Sequence, residues 1–259
     1  MEKKKGISGS TLKMIAIVTM LIDHIGAAVL ARLLMVNGLG ELDQTNTDAI
    51  MQWLSANGAL YWMYTVMRMI GRVAFPIFCF LLVEGFLHTH DVKKYAVRLG
   101  LFALISEIPF DLAFSSKILE FNYQNVFFTL FIGLLTMIAY RAVEEKEEWN
   151  QALKVILYIL IVAAGMALAY FLKTDYAEKG VFCIMVLYIF RKKKMWQLIA
   201  GCASFIWETP ALFGFIPIAF YNGTRGWKMK YFFYIFYPAH LLILYLLCYF
   251  MRISGYSAV

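Results

Sequence analysis

Long apolar runs separated by short polar segments make up most of this 259-residue sequence. A membrane-spanning helix needs about 20 predominantly apolar residues, and several of the runs approach that length. The runs predict transmembrane segments at about 12–36, 60–88, 95–114, 124–142, 152–172, 180–190 and 231–252, with two short helices within 195–222. We therefore predict an all-α, polytopic transmembrane helix bundle of about nine segments, with eight as the alternative, in a single domain over residues 1–259.

The distribution of basic residues predicts the orientation of the bundle, because loops rich in Lys and Arg stay in the cytoplasm. Residues 1–10 carry three lysines and are predicted to form a basic cytoplasmic N-terminus. Residues 37–58 contain no Lys or Arg and are predicted to form an external loop. The segment that follows, 60–88, is longer than a minimal span and is predicted to tilt or to kink near Pro76.

A short helical hairpin is predicted over residues 195–222. The basic stretches 191–194 and 223–230 lie on either side of it, and a single span would place them on opposite faces of the membrane. Two short helices that turn near Glu208 keep both stretches on the cytoplasmic side. Such a hairpin at membrane depth is tolerated where it is buried in protein or lines a cavity.

Composition and charge exclude several classes of protein. Hydrophobic residues make up 62% of the chain and charged residues 16%, against about 45–50% and about 25% in soluble domains. The net charge of +7 does not indicate a nucleic-acid partner, because the basic residues cluster between apolar runs, where they determine topology. The four cysteines lie inside apolar runs without metal-ligand spacing, and no metal is expected.

Ionisable residues inside the apolar runs are the strongest functional signal. A charged group near mid-bilayer costs about 2.5–3.5 kcal/mol on insertion scales, so Asp23 and His24 near the middle of the first segment predict a functional site. With the topology above, the polar side chains that share the central-to-outer half are Asp23, His24, Arg68, Arg72, Glu107, Asp111, Gln124, Asn125, Glu208 and His240.

These residue types favour acyl transfer. A histidine beside a carboxylate is typical of a general base, and arginines suit an anionic ligand or a developing oxyanion. The motifs of serine hydrolases, nucleotide-binding loops and zincins are absent from the sequence. Three alternatives stay open: buried pairs such as Arg72 with Glu107 that only lock helices together, a proton relay in a transporter, and a structural partner in surface assembly.

Six short motifs resemble the TraX family, named for the membrane protein that acetylates the N-terminus of F-type conjugative pilin. The motifs are LIDHIG at 21–26, RVAFPIF at 72–78, LVEGF at 82–86, ISEIPFD at 105–111, QNVFFT at 124–129 and FYPAHL at 236–241. The similarity runs from about residue 11 to 250. A looser similarity is to acyltransferase-3-type membrane enzymes, in which a basic residue precedes a histidine with the spacing of Lys13 and His24.

The resemblance implies an integral membrane acyltransferase of the bacterial cytoplasmic membrane. Acetyl-CoA is the expected donor, entering from the cytoplasm, and the acceptor is a protein N-terminus, a glycan or a small amine. His24 is expected to be the general base, with Asp23 orienting it. Arg68 and Arg72 are expected to bind the donor or a carboxylate, and Glu107 and Asp111 to position the acceptor or to pair with the arginines. The remaining substrate-binding candidates are Lys13, Asn125, Glu208 and His240.

Overall fold

The computed structural model describes residues 5–227 and 230–256, without the side chains of residues 230 and 231. Lys3 and Lys4 of the predicted basic N-terminus, and Lys228 of the last basic loop, lie outside the described residues. Within these ranges the regular structure is helical, apart from two isolated backbone bridges between Ile7 and Tyr221 and between Gln124 and Thr174. The described chain is therefore all-α, as predicted.

The described α-helices are α1 Gly9–Ile25, α2 Ala31–Val36, α3 Thr47–Gly71, α4 Ala74–His88, α5 Val92–Ser115, α6 Val126–Glu144, α7 Gln151–Phe171, α8 Ala177–Ile189, α9 Lys194–Ser204, α10 Phe215–Ala219 and α11 Lys230–Phe250. A π-helical turn, Gly26–Leu30, joins α1 to α2. Short 3₁₀ helices cover Leu39–Glu41 and Thr209–Gly214.

In the part of the chain that the structure describes, five helical stretches are long and apolar enough to cross a membrane. They are Gly9–Val36, Thr47–His88, Val126–Glu144, Gln151–Phe171 and Phe232–Phe250. Several such stretches in one bundle are typical of a multi-pass membrane protein. The total number of crossings and the cytoplasmic location of the N-terminus stay predictions.

The second apolar stretch begins earlier than predicted and breaks, as predicted, near Pro76. Helix α3 begins at Thr47, where the side chain of Asn46 accepts a hydrogen bond from the Ala49 amide, so a helix occupies much of the predicted 37–58 loop. The helix is interrupted at Arg72 and Val73, just before Pro76. Proline lacks the amide hydrogen that would bond the carbonyl four residues earlier, at Arg72, and its ring crowds that carbonyl. The break therefore precedes the proline by one helical turn.

The segment between the last two basic stretches forms two short helices, α9 and α10, joined through the 3₁₀ turn Thr209–Gly214. Its two ends meet, since the Lys194 ammonium donates a hydrogen bond to the Tyr221 carbonyl over 2.9 Å. Glu208 comes directly before the 3₁₀ turn. Glu208 therefore lies at the turn of this segment, whose location at membrane depth stays a prediction.

Different polar contacts join the chain at the two ends of the bundle. At one end, which we call the basic end, Arg191 pairs with Glu144 over 2.8 Å and the Ile7 amide bonds the Phe220 carbonyl. At the opposite end, the backbone of Gln124 pairs with the loop between α7 and α8, and Ser116 bonds the carbonyl of Ser254. Between the two ends lies a continuous apolar core.

Candidate functional site

A cavity of about 100 Å³ lies between α1, the end of α3, the start of α4, α5 and the loop after α7. Its polar lining includes Asp23, His24, Arg68, Arg72 and Asp175. Phenylalanine and tyrosine rings form much of the remaining wall, so the charged groups meet beside aromatic surface. Electrostatic interactions are stronger in a partly buried site than in water.

Asp23 and Arg68 form an ion pair across α1 and α3. Arg68 Nη1 lies 2.8 Å from Asp23 Oδ2, and both side chains are mostly buried. Gly71 permits the approach, because a Cβ at that position would overlap the side chain of Asp23. The other oxygen, Asp23 Oδ1, is buried without a hydrogen-bond partner in the described chain. Asp23 therefore holds Arg68 in the cavity wall.

Arg72 connects the cavity to a second, wider one. Its guanidinium lies 3.4 Å from Glu208 at the hairpin apex. The second cavity, of about 340 Å³, lies between α3 and the hairpin and shares Tyr64, Arg68 and Arg72 with the first. Arg68 near the end of α3 and Arg72 at the break therefore line both the smaller and the larger space.

His24 contacts His240 on α11. The two ring nitrogens, Nδ1 of His24 and Nε2 of His240, lie 2.7 Å apart. The prediction that Asp23 orients His24 is therefore wrong in this geometry. Adjacent residues on an α-helix point about 100° apart, and the carboxylate of Asp23 faces Arg68 while the imidazole of His24 faces α11.

Comparison with known proteins assigns the chain to a family. The family model described as TraX protein matches residues 8–248. The chain belongs to the TraX family. A probable fimbrial assembly protein, FimC of serogroup H1 from Dichelobacter nodosus, is 29% identical over 214 residues, which cover 71% of this chain and 83% of that protein. No solved structure matches the chain.

The loop between α7 and α8 brings site residues that sequence reasoning missed in this TraX-family chain. The Tyr123 hydroxyl donates a 2.7 Å hydrogen bond to Asp175, and Tyr176 lines the cavity beside them. Burial raises the pKa of the Asp175 carboxyl, while the bond from Tyr123 and the nearby Arg72 and Arg68 lower it. The only sequence signal is an acidic residue between two apolar runs, which alone is typical of an external loop.

Three residues of the TraX-like motifs on α5 and α6 form a separate cluster away from the cavity lining. The Asn125 side chain donates to Glu107, and the Glu120 amide donates to Asp111 over 2.8 Å. The predicted pairing of Glu107 or Asp111 with the arginines is therefore wrong among the described contacts, since Arg68 pairs with Asp23 and Arg72 with Glu208. Glu107 and Asp111 each keep one buried oxygen without a partner there.

Lys13 also lies away from the cavity lining. It is eleven residues before His24, which places it roughly 16 Å away along the helix axis. Its ammonium sits 5.2 Å from the centre of the Phe233 ring, toward the basic end. Among the described residues, His, Cys, Asp and Glu side chains do not form a group of three or more that could hold a metal ion.

Proposed function

We propose that this TraX-family protein is an integral membrane acyltransferase that moves an acetyl group from acetyl-CoA to an amine or hydroxyl of a surface or membrane-embedded acceptor. The observation that carries the proposal is His24, a candidate base, in a small cavity whose lining also includes Arg68 and Arg72. The resemblance of the motifs around these residues to TraX supports the same activity.

The reaction assigns a step to each of these groups. The acceptor nitrogen or oxygen attacks the thioester carbonyl while Nε2 of His24 takes its proton. The negative charge that develops on the carbonyl oxygen is stabilised by Arg68 or Arg72. The carbon–sulfur bond then breaks, the acetyl group stays on the acceptor, and the proton on His24 passes to the sulfur to give free CoA.

The size of the cavity limits what it can hold. About 100 Å³ suits an acetyl-sized group, whereas sites for drug-sized ligands occupy about 300–1,000 Å³. The nucleotide of CoA therefore lies outside this cavity in our proposal. Basic side chains toward the proposed cytoplasmic end, among them Lys13 and Arg98, offer charges for its phosphates.

The second cavity is our candidate for the acceptor. It reaches the guanidinium groups of Arg68 and Arg72 from the side opposite Asp23, and it is bounded by Glu208 and Pro210 of the hairpin. Tyr61 and Tyr64 supply aromatic surface there. A protein N-terminus, a glycan and a small amine each fit this description, and the fimbrial assembly role in the name of the relative from Dichelobacter nodosus favours a surface protein.

A proton-coupled transporter is the second candidate. The observation that favours it is the broken helical segment of α9, the 3₁₀ turn and α10 beside the Arg72–Glu208 pair, because interrupted helices often line transport sites. A transporter would use Asp23 and His24 without forming a covalent product.

Release of CoA from acetyl-CoA by the purified protein in detergent distinguishes the two candidates. We expect slow hydrolysis by the wild type and faster release when acceptor-containing membrane extract is added. We expect His24→Ala to lower the rate by about 10²–10⁴-fold, the usual contribution of a general base. The matched control is His90→Ala, which removes an exposed histidine before α5 and should keep the wild-type rate.

Three results would contradict parts of the proposal. Equal rates for the wild type and His24→Ala would overturn the assignment of His24 as the base. A wild-type protein that neither turns over acetyl-CoA with membrane extract nor binds CoA would overturn the acyltransferase. Proton movement into proteoliposomes that depends on a solute, without acetyl transfer, would establish the transporter instead.

A further inference from the structure

The hydrogen bonds of the two site histidines determine which nitrogen of each ring carries a proton. His240 Nδ1 lies 2.8 Å from the Phe236 carbonyl oxygen, which can only accept, so Nδ1 is protonated. In a neutral imidazole the other nitrogen is then an acceptor. His240 Nε2 therefore accepts the hydrogen bond from His24 Nδ1, which lies 2.7 Å away and must carry the hydrogen.

The same chain of bonds leaves Nε2 of His24 with a free lone pair. A neutral His24 that is protonated at Nδ1 has no hydrogen on Nε2. Nε2 makes no hydrogen bond within the described chain, and the His24 ring lines the cavity. Nε2, which does not bond His240 on α11, is therefore the nitrogen of His24 that is able to take a proton.

Aromatic packing holds both rings in this orientation. The planes of His24 and His240 are 6° apart with centroids 5.0 Å apart, and the Phe236 ring stacks on His240 at 4.8 Å. Phe114 and Tyr237 contact His24 edge-on at 5.4 and 6.0 Å. A flip of the His24 ring would break the bond to His240 and disturb these contacts.

We infer that His240 is a positioning residue that fixes His24 in the tautomer with an unprotonated Nε2 and shares the positive charge when Nε2 takes a proton. This inference rests on the proposed acyltransferase for its kinetic consequence. When His24 is an imidazolium, its Nδ1–H bond to His240 becomes charge-assisted. The proton can move to Nε2 of His240, which then donates to Nδ1 of His24 while its own Nδ1–H remains on the Phe236 carbonyl.

Sharing the charge matters because other charged groups surround His24. The titratable and charged groups that face the site are Asp23 on the same helix, Arg68 and Arg72 from α3 and its break, Tyr64 from α3, Asp175 and Tyr176 from the loop after α7, Tyr123 before α6 and Tyr237 on α11. The two arginines oppose a positive His24, and Asp23 already neutralises Arg68. A second imidazole is therefore the group that accepts part of the charge without adding a net charge of its own.

Two substitutions at position 240 test the role. His240→Phe keeps an aromatic ring but removes the acceptor, and we expect kcat to fall about 10–100-fold. We also expect the acidic limb of the rate–pH profile to move to lower pH, since protonated His24 loses its hydrogen-bond acceptor. His240→Gln offers a side-chain oxygen to His24 Nδ1 and should recover part of both effects. Tyr234→Phe, on the same helix toward the basic end, is the control and should leave the pH limb unchanged.

Nitrogen-15 NMR of the histidine rings tests the tautomer without relying on turnover. We expect the wild-type His24 signal, identified by its loss in His24→Ala, to show a hydrogen on Nδ1 at neutral pH. In His240→Phe we expect exchange between the two tautomers. Protonation of His24 at Nε2 in the wild type, or a pH limb and kcat in His240→Phe equal to those of the wild type, would overturn the inference. An inactive wild type with the expected tautomer would refute only the proposed function.

Discussion

Two polar side chains of the first apolar stretch, the half-buried His24 on α1 and the buried Arg32 on α2, use their hydrogen-bonding atoms in opposite ways. Arg32 is fully buried and bonds the carbonyls of Ala28, Ala113 and Tyr256 at 2.8, 2.6 and 2.9 Å. Its remaining terminal nitrogen donates to Ser116 over 3.0 Å. His24 has one nitrogen bonded to His240 and the other free beside a cavity. The Arg32 guanidinium is therefore surrounded by backbone carbonyls, whereas the His24 ring keeps one nitrogen available beside the cavity.

The difference teaches how to separate structural from functional charges inside a membrane protein. Arg32 has no carboxylate partner among its described contacts. Its N–H groups instead donate hydrogen bonds to three backbone carbonyls and a serine hydroxyl. The bonds hold the C-terminal segment after α11 and the end of α5 against the π-helical turn. In the cavity, by contrast, His24 keeps one ring nitrogen without a hydrogen-bond partner in the described chain. A proton-accepting atom that lines a cavity distinguishes the candidate site, whereas an unpartnered oxygen alone does not, since Glu107 and Asp111 also keep one away from the cavity.

The largest effect on stability is expected from Arg32→Leu. The change leaves buried carbonyls without donors, and each such group costs about 1–3 kcal/mol, so we expect a loss of about 3 kcal/mol in the free energy of unfolding. Thermal or denaturant unfolding in detergent measures it. Lys117→Leu is the control, since it removes a positive charge from an exposed side chain at the same end. Unchanged stability in Arg32→Leu would show that its bonds are dispensable.

An intermediate effect, on activity, is expected from Asp23→Asn. Arg68 loses its ion-pair partner and is free to turn into the cavity, so we expect acetyl transfer to fall about tenfold or more. The double variant Asp23→Asn with Arg68→Gln should be less impaired than the sum of the single changes, with a coupling of about 1–2 kcal/mol in the transfer rates. Arg141→Gln removes the more exposed Arg141–Glu145 pair and should have no such effect. Strict additivity at positions 23 and 68 would contradict the pairing.

The smallest effect is expected from Glu107→Gln. Because Glu107 bonds Asn125 and does not line the cavity, an uncharged side chain that still accepts the hydrogen bond should change the transfer rate less than about threefold. The rate is measured beside the melting temperature, to separate chemistry from folding. A loss as large as that of His24→Ala would place Glu107 in the reaction, where the sequence predicts that it positions the acceptor.

The apolar pattern predicted most helices to within a few residues, because lipid-facing and core-facing surfaces of a membrane bundle are both apolar. The start of α3 was missed because its first turns, after Thr47, are polar enough to read as a loop and are largely exposed. The predicted convergence of four acids, two arginines and two histidines rested on a common depth in the membrane, and it wrongly included Glu107 and Asp111, which do not line the cavity. Depth alone did not reveal the partners, so Asp23 was assigned to His24 instead of Arg68.

The sequence pattern alone did not indicate the positions of Asp175 and Arg32. Asp175 reaches the cavity because the loop after α7 pairs with the backbone before α6, a contact between residues about fifty positions apart. Arg32 sits near the end of an apolar run, where a long basic side chain is usually expected to extend toward the interface. Only the packing of α5 and of the C-terminal segment around it makes the residue internal.

The π-helical turn Gly26–Leu30 makes the length of the first helix a constraint on the evolution of the chain. The turn widens the helix between His24 and Arg32, and such single turns are frequent at functional sites. A further residue inserted there in regular helical geometry would rotate one half against the other by about 100°. Either the histidine or the arginine would then lose its partners. We therefore expect insertions to be tolerated in the loops of this protein but eliminated between these two residues.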